Sequence, residues 1–453
     1  MVFRQRHDSY AWTYGTSPSH KLIKAKACSI WLDDGKEYLD LTSGGSHFAI
    51  LGHSNDLVKQ SIVDIYEKYS HFDIKTLDLE EVSILSDLIL SDAHLNSSKY
   101  RIFFSGCNGA DANEAAIRLA FQAQWNRGFI SKKWIISRTQ SYHGMSADAL
   151  ALSDRNNLNQ QKSTLSPFRS QIPQHHPIYA AYQGISAEQY LNDSIAHFKE
   201  SIFTLGAENI AAFLGETILG GLIGDVPPLA NYWKEIHAIC QENNIYLILD
   251  EVYCGTGTSG TYHACQQDDC RPDFLTMGKT LCGGGAPLSA VLISEDIYSL
   301  ALGVENRLQF SNTFQGHVLG LASSLAVQST VLSHGFISEV SRKGSRIMSE
   351  LSANLSSNDL FVNIRGRGLR ISLEFSCERR NDFANDLHSE LLRRGIFNTC
   401  KWHRLSITPP LIINDDQIDF LIATITSAFN DVSVRYKPQP ISYEWLSMPT
   451  PTR

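Results

Sequence analysis

Asp250 closes a short apolar run, Ile245 to Leu249, and Lys279 follows a second one, Phe274 to Met277, within Gly278-Lys279-Thr280. Each run is short and bounded by turn residues, which reads as a buried parallel strand. Open α/β sheets collect their ligands at the carboxyl ends of such strands, where both residues fall. A carboxylate and an amine placed there suit a pyridine-ring cofactor. The acid holds the ring nitrogen protonated, so that the ring draws off electrons, and the amine forms a Schiff base. Two plainer readings compete. A strand-end aspartate often only caps a helix, and Gly-Lys-Thr imitates the end of a phosphate-binding loop. The phosphate-loop pattern requires glycine at position 273, which is Asp273, so that reading fails.

Other elements must bring a phosphate and a flat ring to the same place. In RIFFSGCNGADANEAAIRLAFQAQ, Arg101 to Phe104 reads as a strand, Ser105 to Gly109 as a loop and Ala110 to Gln124 as a helix of strong helix formers. Strand, glycine loop and helix aim backbone N–H groups and a positive dipole end at an anion, although many such loops are only tight turns. Lys133 to Ser137 is another strand, running on to Tyr142-His143-Gly144. An aromatic ring before a glycine can lie flat against a planar group. Ile210 to Gly215 is a strand ending in Glu216, and Asn231 to Asn243 is the helix that crosses over to the Asp250 strand.

The string DEVYCGTGTSGTYHACQQDDCRPDFLTMGKTLCGGGAPLSAVLIS resembles the signature block of the class III (fold-type I) pyridoxal-phosphate aminotransferases, ω-amino-acid and diaminobutyrate types included. That family has DEV, a glycine-rich turn, PD, GK and a GGG/PL/A run at similar spacing. NGADANEAA resembles its phosphate cup, Tyr142-His143-Gly144 its aromatic-HG motif, Thr313-Phe314-Gln315-Gly316 its T[FY]xGx motif, and the RGRGL and PPL strings its C-terminal landmarks.

The resemblance implies an α/β fold-type I protein. A large domain would carry a mostly parallel seven-stranded sheet sandwiched by helices, with a small α+β domain beside it. Residues 1–75 would contribute to the small domain, 76–332 would form the large cofactor-binding domain and 333–453 the C-terminal small domain. It implies pyridoxal 5'-phosphate as cofactor, with Lys279 and Asp250 catalytic. Asn108, Gly109 and Ala110 would hold the phosphate, Tyr142 would stack on the ring, and Val252, on the same side of the strand as Asp250, would press its other face. His143 and Glu216 would be polar neighbours of the ring. Thr313 would reach the phosphate of a neighbouring subunit, so the active site would need a homodimer. The reaction implied is ping-pong transfer of an amino group from a terminal-amine or amino-acid donor to a 2-oxo acid such as pyruvate or 2-oxoglutarate. An epimerase, racemase or decarboxylase of the same fold is the alternative.

The chain also departs from the pattern. Ala110 stands where a hydroxyl is common, and Thr217 where a proline follows the glutamate. Thr258 stands where the family's turn often has an arginine, which removes a charged anchor near the site mouth. Ser406 stands where ornithine- and γ-aminobutyrate-type members have an arginine, with Arg404 two residues away, and this argues against those substrates.

The surrounding chain fits a large enzyme. At 453 residues with 43% hydrophobic content, two domains are expected. A net charge of −8 and the lack of a basic run argue against nucleic acid as the main partner. No apolar signal core or membrane-length apolar stretch is visible. Nine scattered cysteines without a CxxC pair suggest reduced thiols in the cytoplasm, and Cys265, Cys270 and His263 lack the spacing of a common zinc site, so no metal is expected. Ser29 to Leu32 and Glu37 to Leu41 form a hairpin across Asp33-Asp34-Gly35-Lys36, His53 reads as a structural histidine, and Asn55 caps a helix from Asp56 to Tyr69. Residues 153–190 read as a long irregular connection whose His175 and His176 lie on the surface. The proline-bearing tail after Val434 reads as a surface-hugging or flexible end.

Overall fold

The computed structural model describes residues 19–95, 99–154 and 165–440. Its centre is a seven-stranded sheet. In spatial order the strands are Tyr100–Gly106, Ser289–Ser294, Phe274–Met277, Tyr246–Asp250, Ile210–Glu216, Trp134–Arg138 and Arg169–Ile172. Ser289–Ser294 runs antiparallel to both neighbours, and the other adjacent pairs are parallel. This is the mostly parallel seven-stranded sheet expected. The Asp250 strand lies fourth of the seven, with both faces covered. Leu247 and Leu249 pack into one hydrophobic cluster, and Tyr246 and Ile248 into another. Burial on both faces is why this strand reads as an unbroken apolar run instead of alternating.

Helix Gly109–Asn126 lies on one face and buries Ala112, Ala115, Ala116, Leu119, Ala120 and Ala123. Small side chains let it sit close to the sheet. Crossover helix Tyr232–Glu242 covers the other side and buries Trp233, whose indole N–H donates to the Thr217 carbonyl at 3.0 Å. Helix Asp56–Lys68 starts as expected, with Asn55 accepting from Leu57 and Val58 N–H.

Two four-stranded sheets complete the architecture. One is ordered Leu22–Lys26, Ser29–Leu32, Glu37–Asp40 and Ile396–Phe397, the other Phe361–Arg367, Arg370–Phe375, Arg404–Ile407 and Thr399–Lys401. The expected 29–41 hairpin is present. Ile396–Phe397 and Thr399–Lys401 are separate strands, because the chain leaves one sheet after Phe397 and joins the other at Thr399. His53 is structural, its Nε2 lying 2.8 Å from Asp40 Oδ2.

Part of the expected irregular connection is ordered. Arg169–Ile172 forms the edge strand of the large sheet, followed by helices Pro177–Tyr182 and Ala187–Leu205. Four residues, RSQI, at a sheet edge carry no apolar alternation to betray a strand. Nor are the two histidines on the surface: both are 1% exposed. His175 stacks on Tyr232 at 3.9 Å between centroids, its Nδ1 lies 2.9 Å from Ser194 Oγ, and its Nε2 accepts from Leu229 N–H. His176 caps helix Pro177–Tyr182 by accepting from Tyr179 N–H. Most of the proline-bearing tail, from residue 441, lies outside the described residues.

Candidate active site

The parallel register brings the acids together. Glu216 pairs with Asp250 across two strands, and Asp250 pairs with Thr276 across the next, three residues before Lys279. All three strands end at one cavity of about 1030 Å³, lined by Asn108, Gly109, Ala110, Tyr142, His143, Glu216, Asp250, Val252 and Lys279. Nine of the ten residues singled out from the sequence therefore line one space. The tenth, Thr313, is exposed in the loop before helix Val318–Val331 and lies outside this cavity.

Donors surround Asp250. Asn113 Nδ2 donates to Oδ2 at 2.8 Å, His143 Nδ1 lies 2.8 Å from the same oxygen, and Val252 N–H donates to Oδ1 at 3.0 Å. Thr276 donates its hydroxyl to Asn113 Oδ1 at 2.9 Å, and Asn113 also donates to the His143 carbonyl. A carboxylate that accepts from three groups is oriented and held as an acceptor. Asn113 and Thr276 fall within the NGADANEAA and DEVYC…VLIS strings, but nothing in their type or spacing marks a contact with Asp250, and the one signal is a polar side chain on the alanine face of a buried helix.

Lys279 takes a backbone φ of 39°, left-handed and costly for a side-chain-bearing residue, as is common at functional sites. Its Nζ lies 5.2 Å from the centroid of the Tyr253 ring. Burial holds the amine below its usual basicity and Arg370 adds to this, against the opposing charges of Asp250 and Glu216. Glu216 is pushed up to about 8, by burial first and by Asp250 second, as neighbouring like charges require.

The walls suit a flat, phosphate-bearing ring. A Cβ on Gly109 would come within 2.4 Å of Val252 Cγ1, and one on Gly278 within 3.3 Å of Gly109 N, so the helix start, the lysine turn and Val252 abut one another. Ala110 packs on Gly144, where a Cβ would lie 2.5 Å from the Ala110 methyl. The first helical turn is capped by Asn108, which accepts from Ala110 and Asp111 N–H, while Asp111 accepts from Cys107 and Asn108 N–H. A capped helix N-terminus facing a cavity is a place for an anion, and Tyr142 and Val252 line the space beside it.

The opposite wall comes from distant parts of the chain: His47, Tyr253, Asp225, Arg404 and Ser406. Arg404 and Ser406 lie two apart on one strand, so both side chains point to the same side. The two-residue offset from the expected arginine position therefore still brings a guanidinium to the cavity. Arg404 Nη1 donates to the Leu222 carbonyl at 2.8 Å and Nη2 to that of Gly221, while Arg365 donates to those of Ile223 and Gly224. Two arginines thus hold four consecutive carbonyls of one wall loop. Thr258, outside the cavity lining, accepts a hydrogen bond from a buried arginine, since Arg370 Nε donates to its hydroxyl at 3.2 Å.

The family described as aminotransferase class-III matches residues 14–429. A diaminobutyrate–2-oxoglutarate transaminase of Halomonas elongata is 26% identical over 93% of this chain and 92% of its own. Gamma aminobutyrate transaminase 3 of Solanum lycopersicum is 26% identical over 91% and 81%. The crystal structure of an (S)-enantioselective ω-transaminase from Thermomicrobium roseum shares the fold, with a TM-score of 0.84 at 24% identity over 95% of this chain and 96% of that one.

Proposed function

The chain belongs to the class-III aminotransferases, and from that premise we propose that Lys279 and Asp250 are the catalytic pair of a pyridoxal 5'-phosphate-dependent transaminase whose donor carries a terminal amine. The observation that carries the reading is the convergence of a buried amine, a carboxylate held by three hydrogen bonds and a capped helix N-terminus on one cavity. The acceptor is a 2-oxo acid such as pyruvate or 2-oxoglutarate, and donor and acceptor take turns in the same cavity. Relatives named for diaminobutyrate and γ-aminobutyrate support a terminal-amine donor.

When bound, the cofactor supplies an electron-withdrawing ring that stabilises negative charge at the substrate carbon. Asp250 would hold the ring nitrogen's proton, itself fixed by Asn113, His143 and Val252 N–H. Lys279 Nζ, kept less basic than a surface lysine, would take the proton from the substrate carbon that bears the amine and return it. Asn108, Gly109 and Ala110 would hold the phosphate, with Tyr142 and Val252 on the two ring faces. Glu216 would carry its proton at neutral pH and could donate a hydrogen bond to the cofactor's edge.

Thr313 serves a second copy in this reading. His71 lies against Thr313, its Nε2 3.3 Å from the threonine carbonyl, and against Phe314, and exposed Phe72, Leu77 and Phe314 give this side of the molecule an apolar surface suited to a homodimer contact. Residues 1–75 would belong with the C-terminal residues 333–453, as the pairing of Leu39 with Ile396 favours. Among the described residues no helix is long and apolar enough to cross a membrane. Nine free cysteines, all buried but Cys107, favour a reducing cytoplasm.

The test is a donor screen on pure holoprotein that follows bleaching of its visible band. Bleaching by terminal amines, with return of the band on adding a 2-oxo acid, is expected. Bleaching by α-amino acids alone would overturn the donor assignment.

A further inference from the structure

Arg370 is 2% exposed and pairs with no carboxylate among the described residues. A buried guanidinium without an acid is costly, so its contacts should reveal its use. Its Cζ lies 4.1 Å from the centroid of the Tyr253 ring, Nε donates to Thr258 Oγ1, Nη2 donates to the His47 carbonyl at 3.3 Å, and Nη1 has no partner among the described residues. The same Tyr253 ring meets His47 edge-on at 5.1 Å and has Lys279 Nζ 5.2 Å from its centroid. A Cβ on Gly220 would come within 2.6 Å of that ring, so loop backbone closes on Tyr253 as well.

We propose that Arg370 is a positioning residue for the transamination, fixing Tyr253 against Lys279 and placing a permanent positive charge beside the lysine amine. A guanidinium at this distance from an aromatic face is held by cation–π attraction, strengthened by desolvation. It never loses its proton, so it is a constant field acting on Lys279. The groups facing Lys279 are Asp250 and Glu216 from two sheet strands, Tyr253 and Cys254 from the turn after Asp250, and Arg370 from the hairpin strand. His47, edge-on to Tyr253, is itself held neutral by burial and by Arg370, Lys279 and Arg404. Of the charges on Lys279, Arg370 is the cation that opposes the two acids. This role is not visible in sequence, because residues 253 and 370 meet only through the fold.

The inference rests on Lys279 being the cofactor-bearing lysine, and the experiment separates the two. Holoenzyme is titrated with pH, and the midpoint of its visible absorbance change is read for the parent, R370M, R370Q and R370K. Removing a neighbouring positive charge must raise the midpoint, so R370M and R370Q are expected to move it upward by about one unit. R370K keeps the charge without the planar stack, so its midpoint should stay near the parent's while kcat/KM falls. A parent without a visible band would refute the lysine assignment. A parent with a band and an unmoved midpoint in whichever neutral variant folds would overturn the role of Arg370 alone.

Discussion

The two walls of the cavity are built by different rules. On the side of Asp250, each functional group lies within a few residues of a strand end or helix start, and Glu216, Asp250 and Thr276 are strand partners in register. On the side of Tyr253, the groups come from a turn near residue 47, a loop at 221–225 and two strands beyond residue 365, joined by arginines that donate to backbone carbonyls. The first wall uses geometry that any open parallel sheet provides, so its chemistry is fixed by few residues. The second is assembled from long-range contacts, where a side chain can be supplied from another position on the same face of a strand. Arg404, two residues before Ser406 on one strand, is such a case.

Breaking the first wall should therefore cost far more turnover than breaking the second. Lys279→Ala is expected to lower turnover by up to about 10⁴-fold, the upper end for loss of a positioned proton carrier, and to remove the visible band. Steady-state assay and absorbance check both. Asp250→Asn should fold and lose about 10²–10³-fold in kcat, as when one electrostatic stabiliser is removed; a parental kcat would disprove the ring-nitrogen role. On the second wall, Arg404→Met frees the Gly221 and Leu222 carbonyls and is expected to raise KM about tenfold with little change in kcat, the signature of lost uniform binding. An equal fall in kcat would erase the distinction between the walls.

The smallest effect is on stability. The carboxyl of Glu216 is raised to about 8 from its ordinary 4.5, so the folded chain binds a proton that the unfolded chain releases. Its contribution therefore becomes less favourable as pH rises from 4.5 to about 8, and is constant outside that window. The Tm of Glu216→Gln relative to the parent should rise across that window and then level off. A flat difference would mean that Glu216 shares no such burial with Asp250.

What was legible in the sequence follows the same division. Asp250, Lys279 and the Asn108–Ala110 loop could be read because apolar runs and glycines mark where parallel strands end. Asn113 and Thr276 were hidden, since one sits among alanines on a buried helix face and the other inside an apolar strand. Tyr253, Asp225 and Arg370 were hidden for a different reason, as their partners lie scores of residues away. Arg404 reads in sequence as a lost contact, because a two-residue offset keeps the same face only where the segment is a strand. Strand Arg169–Ile172 escaped because an edge strand can be polar throughout, and His175 and His176 because stacking and capping leave no local pattern.

The most direct test of the account is borohydride reduction of the holoprotein followed by peptide mass mapping. The reduced cofactor is expected on the peptide containing Lys279, in one equivalent per chain. Attachment to another lysine, or none at all, would contradict it.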